Sequence, residues 1–500
     1  MTSEASTVRS PATARRVGVA HDHPHYRWWV LSVTSLGLFL ATVNSGTLLI
    51  ALPDVERELG TSLLTLVWVI LAYMVASTVL LLPAGRLGDQ LGRRRLYVGG
   101  LALFTLASLG AGFADSGTAL IVWRVVQGVG GALVFANSGA LVTDAFPREQ
   151  LGLAMGTNTM VAAVGLVVGP VLGGWLVGFG WAWVFWFNVP LGLAGTVWAA
   201  LVLRELTGPE AGRSYDLLGN ALALGGLTGL VLGLSDAGLD GWGAPMVIAG
   251  LVAAAVLLPA FVLVEMRTRA PMLDLSLFRI RVYWTAATAA FLNGLARFAL
   301  MFLFVFYFQG SQGDDPIMAG IKLIPLAAGM LVASPLAGWW ADRRGSRAPA
   351  VLGMLLTAAG LAGMTSLEVG PPFWQSGLWL ALVGVGSGVF NSPNTAAMMG
   401  SVPPHRRGIA SGTRTMLQNT GAVISIALML MIVTAVVPTT LLFSIFSGLT
   451  TGLSPERLDP FMSGMHLALW VLVAFSLLGA LVSALRGADL PATAQGPPQR

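Results

Sequence analysis

The residues able to do chemistry in this chain are cations and amides set inside apolar runs. Arg124 stands in Leu120-Ile-Val-Trp-Arg-Val-Val-Gln-Gly-Val-Gly-Gly131, with Gln127, Gly128 and Gly131 following at i+3, i+4 and i+7. On a helix that spacing builds one polar face from small residues. A guanidinium in hydrocarbon costs about 2.5–3.5 kcal/mol on insertion scales, so it must meet a cavity or a partner. An arginine bonded to backbone carbonyls for packing alone is the structural alternative. Asn44 and Thr47 share a face of another run, Asn293 and Arg297 are i, i+4, and Arg414, Gln418 and Gly421 are i, i+4, i+7. Ser387, Asn391 and Asn394 share a further face, and Asn158 completes the set. These faces are expected to line a central cavity.

The charge in that cavity is expected to be positive. No Asp or Glu falls at mid-depth of any apolar run, and Asp54, Asp144, Asp236, Glu265 and Glu368 all stand near run ends. Arg124, Arg297, Arg414 and Lys322 lie at or near mid-depth. Lys322 is close enough to an end for its long side chain to reach water. Uncompensated cations in a low-dielectric cavity attract anions and repel cations. Other chemistries are poorly supplied. There is no cysteine, and the five histidines are scattered, three of them (His21, His23, His25) in a polar tail without a scaffold. No metal, no cofactor and no catalysis are therefore expected. No Gly-xxxx-Gly-Lys-Ser/Thr loop is present for direct nucleotide drive.

The elements that must position these residues are membrane helices. Hydrophobic residues make up 55% of the chain and charged residues 10%, more apolar surface than a soluble core of this length can bury. Runs of about 20 residues, each long enough for a bilayer core of ~30 Å, fall at about 28–52, 63–84, 96–114, 118–143, 151–178, 182–203, 217–236, 243–265, 283–308, 317–340, 350–367, 376–400, 408–436 and 465–485. That predicts fourteen spans, with 439–449 as a further short interfacial stretch. Arginines such as Arg93, Arg94, Arg95, Arg267, Arg269, Arg279, Arg281, Arg343, Arg344, Arg406 and Arg407 collect in the tails and even-numbered connections. The odd-numbered connections hold only Arg57 and Arg457, among acidic residues. The positive-inside rule puts both termini in the cytoplasm. The +5 net charge is thus a topology signal, and no nucleic-acid partner is expected. The polar N-terminal tail lacks the apolar core and cleavage site of a signal peptide.

Two internal repeats divide the chain. Gly85-Arg-Leu-Gly-Asp-Gln-Leu-Gly-Arg-Arg-Arg95 recurs in degenerate form as Gly338-Trp-Trp-Ala-Asp-Arg-Arg-Gly-Ser-Arg347. Each copy has Gly, then Asp89 or Asp342 four residues on, then Gly92 or Gly345 seven on, before arginine. Such a string suits a tight basic turn between two apolar helices. Pro147, Gly152, Ala154 and Gly156 are echoed by Pro403, Gly408, Ala410 and Gly412. An offset near half the chain suits two similar halves facing each other.

The turn string resembles the signature loop of the major facilitator superfamily. Gly165-Leu-Val-Val-Gly169-Pro170-Val-Leu-Gly173-Gly174 resembles its antiporter motif, in which the glycines allow close helix contact and the proline bends the helix. Further matches are Trp181 to Gly192, Tyr215-Asp-Leu-Leu-Gly219, Glu265 through Pro271 to Phe278, and Tyr307-Phe-Gln309 with Ala319-Gly320 and Pro325. In order and number they resemble the fourteen-helix drug:proton antiporter branch over roughly residues 27–485. The resemblance implies an all-α integral membrane protein of two six-helix bundles plus two extra helices. Its parts would be a tail at 1–27, a bundle at 28–204, two linker helices and loops at 205–280, a bundle at 281–486 and a tail at 487–500. It implies a monomeric exporter in a bacterial cell membrane, moving a small amphiphile by alternating access on the proton gradient. A uniporter, anion exchanger or importer of the same fold is the alternative, ahead of a non-transporting sensor. Gly85, Asp89, Gly92, Arg93, Asp144 and Asp342 would form a cytoplasmic latch between the halves, and Trp183, Trp186 and Phe304 are candidate cargo contacts. One departure stands out. The branch carries an acid in its first helix, before Ala51-Leu-Pro53, where this chain has Asn44. That shifts the expected cargo from cations to anionic, zwitterionic or neutral amphiphiles, and moves the expected proton carrier to Asp54, Asp144, Asp236 or His466.

Overall fold

The computed structural model describes residues 25–146, 151–205, 216–237, 241–268, 273, 275–368, 370–402, 407–438, 441–442, 445 and 455–487. Among the described residues all regular structure is helical. In chain order the helices are α1 (Tyr26–Leu59), α2 (Leu63–Leu91), α3 (Arg93–Ala111), α4 (Gly117–Ala145), α5 (Leu151–Val177), α6 (Trp183–Trp186), α7 (Asn188–Val202) and α8 (Leu217–Ala237). They continue as α9 (Pro245–Arg267), α10 (Arg281–Phe306), α11 (Pro316–Lys322), α12 (Ile324–Arg344), α13 (Arg347–Met364), α14 (Phe373–Gly400), α15 (Arg407–Val436) and α16 (Pro455–Ala484).

Local chemistry sets the ends. The Ser62 and Ser116 hydroxyls accept from the amides of Thr65 and Ala119, and Asp315 accepts from Met318 ahead of Pro316. The repeated turn falls where its glycines require it. Gly92 joins α2 to α3 at φ 105° and Gly345 joins α12 to α13 at φ 83°, both in the region that side chains disfavour.

Three boundaries differ from the sequence expectation. The first run was expected to end at 52, yet α1 passes through Pro53 and stops only at left-handed Gly60, φ 57°. A proline removes one helical bond without forcing a stop when the residues beyond it stay helical. The run expected at 182–203 is interrupted at Phe187, between α6 and α7. The run expected at 317–340 breaks at Leu323, because Pro325 suits the first turn of a new helix. Twelve of the described helical stretches are long and apolar enough to cross a membrane. Two of the fourteen expected runs fall outside that set, α3 with three arginines in its first turn and α5. The tails at 1–24 and 488–500, with His21 and His23, and most of 439–449 lie outside the described residues.

Helix pairing repeats between the halves. In the first, α1 packs on α4, α5 and α7, α4 on α2 and α3, and α3 on α7. In the second, α10 packs on α14, α15 and α16, α14 on α12 and α13, and α13 on α16. The α8–α9 hairpin stands beside them, with α8 against α2 and α15. The halves meet along α2 with α15 and along α5 with α11 and α12.

The ends of this assembly differ. At the acidic end, which carries Asp54, Asp115 and Asp314, one hydrophobic cluster joins both halves. It runs from Leu48, Leu52 and Val67 through Leu176 and Phe185 to Phe304, Leu326, Val423 and Phe461. At the arginine-rich end each half closes on its own clusters, such as Val30, Tyr97 and Leu141 in one and Tyr283, Met398 and Ala410 in the other. There the described cluster that crosses is small, with Leu82 of α2 meeting Leu273 and Met416.

Candidate functional site

The polar residues of the first half form one buried network. Arg124 lies eight residues into α4, about 10 Å from its start at 1.5 Å per residue. Its Nε donates to the Val69 carbonyl at 2.9 Å and a terminal nitrogen donates to Gln127 Oε1. The guanidinium carbon stands 4.4 Å from the centre of the Tyr73 ring, a cation–π contact. Gln127 Nε2 donates to Ser108 Oγ at 2.7 Å and to Asn44 Oδ1 at 3.2 Å. Asn188 Nδ2 donates to the same Asn44 oxygen at 3.3 Å. Arg124, Gln127, Asn44, Ser108 and Asn188 are all buried, none above 1% exposed. The intramembrane cation is therefore satisfied inside its own bundle by dipoles and an aromatic face, with no carboxylate partner among the described residues. Thr47 donates to the Asn44 carbonyl at 3.3 Å.

The second half handles its cations differently. Arg297, in the second half of α10, is 9% exposed and lies over the Phe298 ring at 4.4 Å. Among the described residues it makes no ion pair or hydrogen bond, and its Nε is buried without a partner. Burying an uncompensated guanidinium is costly unless something charged or polar visits it. Arg414 of α15 donates to Gln418 Oε1 at 3.0 Å, and Gln418 Nε2 donates to Asn391 Oδ1 at 3.3 Å. That chain ties α15 to α14 beside the α10–α15 crossing, where Gly294 is so close that an added methyl would meet Ala422 N at 3.2 Å.

The remaining predicted residues go elsewhere. Asn293 donates to the Met354 sulfur at 3.6 Å, so it faces α13 within its bundle. Asn394 donates to the Ala286 carbonyl at 3.0 Å and accepts from Arg486, a fully buried cation just beyond α16 that also donates to Ser346 at 3.0 Å. Asn158 accepts from Ser35 at 2.7 Å, joining α5 to α1. Phe304 is fully buried in the shared cluster, and Trp183 and Trp186 stack edge to face at 5.7 Å in α6. Ser108, Tyr73, Asn188 and Arg486 were not singled out from sequence. Asn188 and Arg486 carried a signal, an amide within an apolar run and an arginine at the end of one, but their partners are set by long-range packing.

The glycine string of α5 makes two contacts. Gly165, Gly169 and Gly173 meet α1, where an added methyl on Gly173 would lie 2.7 Å from the Thr47 Cα. Gly174 and Pro170 meet α11 of the other half, against Ile317 and Gly320. Gln309 in the π-helical turn after α10 adds a hydrogen bond across the halves, donating to the Ile50 carbonyl at 3.3 Å. The string therefore lies in the seal at the acidic end.

In the turn motif, Arg93 grips both oxygens of Asp144 at 2.8 Å. This pair joins α3 to α4 within one bundle, and so does not itself bridge the halves as the expected latch would. The side chains of Asp89 and Asp342 lie outside the described residues. Gly85 has, among the described residues, Ala136 at 3.8 Å from an added methyl. The expected proton carriers are peripheral. Asp54 pairs with Arg57, Asp144 with Arg93, Asp236 is buried at the end of α8, and the His466 ring bonds the Leu367 carbonyl at 2.9 Å.

Comparison with known proteins agrees with this architecture. The sequence profile described as Major Facilitator Superfamily matches residues 34–426. The chain is 32% identical over 403 residues to the tetracenomycin C resistance and export protein of Streptomyces glaucescens, covering 80% of this chain and 75% of that one. It is 34% identical over 406 residues to the multidrug resistance protein Stp of Mycobacterium tuberculosis, covering 80% and 74%. A bacterial homologue of the human lysosomal transporter Spinster, solved inward-facing and unoccupied, superposes with a TM-score of 0.65 at 15% identity, covering 93% of this chain and 97% of that one. With its two pseudo-repeated bundles and its matched profile, this chain is a multi-span membrane transporter of the major facilitator superfamily.

Proposed function

We propose that this chain exports a small amphiphile with an anionic, zwitterionic or neutral head, an antibiotic or metabolite, by alternating access driven by the proton gradient. The observation that carries this reading is Arg297, a buried cation in the second half of α10 with no ion pair or hydrogen bond among the described residues. A negative head group would relieve it, whereas a cationic drug would be repelled. Arg414, Gln418 and Asn391 supply a second cation and amides on the neighbouring helices. Export is supported by the resistance proteins among the relatives. A cytoplasmic membrane location with the arginine-rich end, and with it both termini, inside is supported by the positive-inside rule. The seal at the acidic end would then leave the arginine-rich, cytoplasmic side as the side of access.

One observation favours a second reading, uniport or anion exchange. Asn44 is non-titratable, and its side-chain oxygen accepts from Gln127 and Asn188. Both readings are separated in proteoliposomes carrying a pH-sensitive dye inside, under an imposed proton gradient. Anionic and neutral amphiphiles are expected to trigger proton flux, and cationic ones not. Flux triggered only by cations contradicts the cargo assignment. Cargo uptake without proton flux establishes the second reading.

A further inference from the structure

At the arginine-rich end of the second half, a groove of about 560 Å³ is lined by Arg344, Gly345, Arg347, Leu352, Leu355 and Ala484. Arg344 and Arg347 are both exposed, and neither has a carboxylate partner among the described residues. Leu352 and Leu355 continue the groove along α13, 40% and 43% exposed on a face that in a membrane meets acyl chains. The groove is thus cationic at the membrane surface and apolar below it.

The internal repeat indicates what belongs there. In the first half the same turn is made by Gly92, and the carboxylate of Glu205 lies against it, where an added methyl would collide. Glu205 stands three residues past the end of α7 at Val202. The counterpart of α7 is α16, which packs on α13 and α10 as α7 packs on α3 and α1. Three residues past its end at Ala484 stands Gly487, with no side chain at all. One half carries its own anion beside the turn glycine; the other has two arginines, a groove and, among the described residues, no acid there.

We propose that this groove binds the phosphate of an anionic phospholipid from the adjoining leaflet, in the place that Glu205 fills in the first half. Two arginines at the membrane surface attract an anionic head group, and the Leu352–Leu355 face accommodates a chain that a free phosphate lacks. The inference does not depend on the nature of the cargo or on proton coupling.

The test is native mass spectrometry of the purified full chain in detergent, titrated with phosphatidylglycerol or phosphatidylcholine, with inorganic phosphate as competitor. Phosphatidylglycerol is expected to be retained in preference, and retention to fall about tenfold or more in Arg344→Ala/Arg347→Ala. Gly487→Glu keeps both arginines and is expected to lose the lipid too, because it restores the internal carboxylate. Among the described residues the nearest atom to an added Cβ is Arg281 Cδ at 3.9 Å, so this variant serves should the double variant fail to fold. Equal retention of the two lipids, undiminished retention in Gly487→Glu, or displacement by millimolar phosphate would each overturn the proposal.

Discussion

Gly174 of α5 lies against Ile317 of α11 across the two halves, so close that an added methyl would stand 2.6 Å from the Ile317 Cα and N. Backbone cannot yield at that distance as a side-chain tip can. Gly174→Ala is therefore expected to push the halves apart at the acidic end and to favour the opposite-facing state. The chain has no cysteine, so spin labels on Glu58→Cys and Met318→Cys report this directly. The interspin distance should lengthen in Gly174→Ala, and an unchanged distribution would show that the seal does not depend on this contact.

Gln127 links Arg124 to Asn44 and Ser108. Gln127→Leu leaves those buried groups short of partners, at about 1–3 kcal/mol for an unsatisfied group. Thermal unfolding in detergent should drop by several degrees. Arg124→Ala/Gln127→Leu should lose less than the sum of the single changes, because the two share a bond. Additive losses would mean that the pair is not coupled.

The Arg93–Asp144 pair is doubly bonded but partly wet, with side chains 22% and 17% exposed. Its removal by Asp144→Asn is expected to cost only about 0–1 kcal/mol. The cost should shrink further in high salt. A double-mutant cycle with Arg93→Gln on thermal stability checks it, and a coupling well above that range would restore a larger role to the turn.

Arg486 is enclosed with Asn394 and Ser346. Arg486→Ala should destabilise the second bundle by about 1–3 kcal/mol through the groups left unbonded, whereas Arg343→Ala, whose cation lies over the exposed Trp339 ring at 4.0 Å, should change the melting temperature little. Equal effects of the two would contradict this assignment.

What could be read in the sequence is what short spacing determines. The turn glycines Gly92 and Gly345, the α5 string and the polar face of Arg124 with Gln127 depend on neighbours within a few turns of one helix. Spacing gives a shared face but not the neighbour that face meets. So Asn293 and Arg297, one turn apart, have different fates, one hydrogen-bonded to Met354 and the other with no hydrogen bond or ion pair among the described residues. Asn188 joins Asn44 from 144 positions away, and no local pattern encodes that approach. Pro53 and Pro325 illustrate the same limit for boundaries, since one lies within a continuous helix and the other begins a new one.

Arg297 is the cation on which the cargo assignment rests, and its removal tests that assignment most directly. Binding of one fluorescent amphiphile in anionic and cationic forms would be measured for the purified protein and for Arg297→Gln. Loss of a charged hydrogen-bonding group is worth about 1.5–3 kcal/mol, or roughly 10- to 100-fold in affinity. The account predicts that drop for the anionic form, with the cationic form unchanged or bound more tightly. Equal affinity of wild type and Arg297→Gln for the anion, or tighter binding of the cation by wild type, would contradict it.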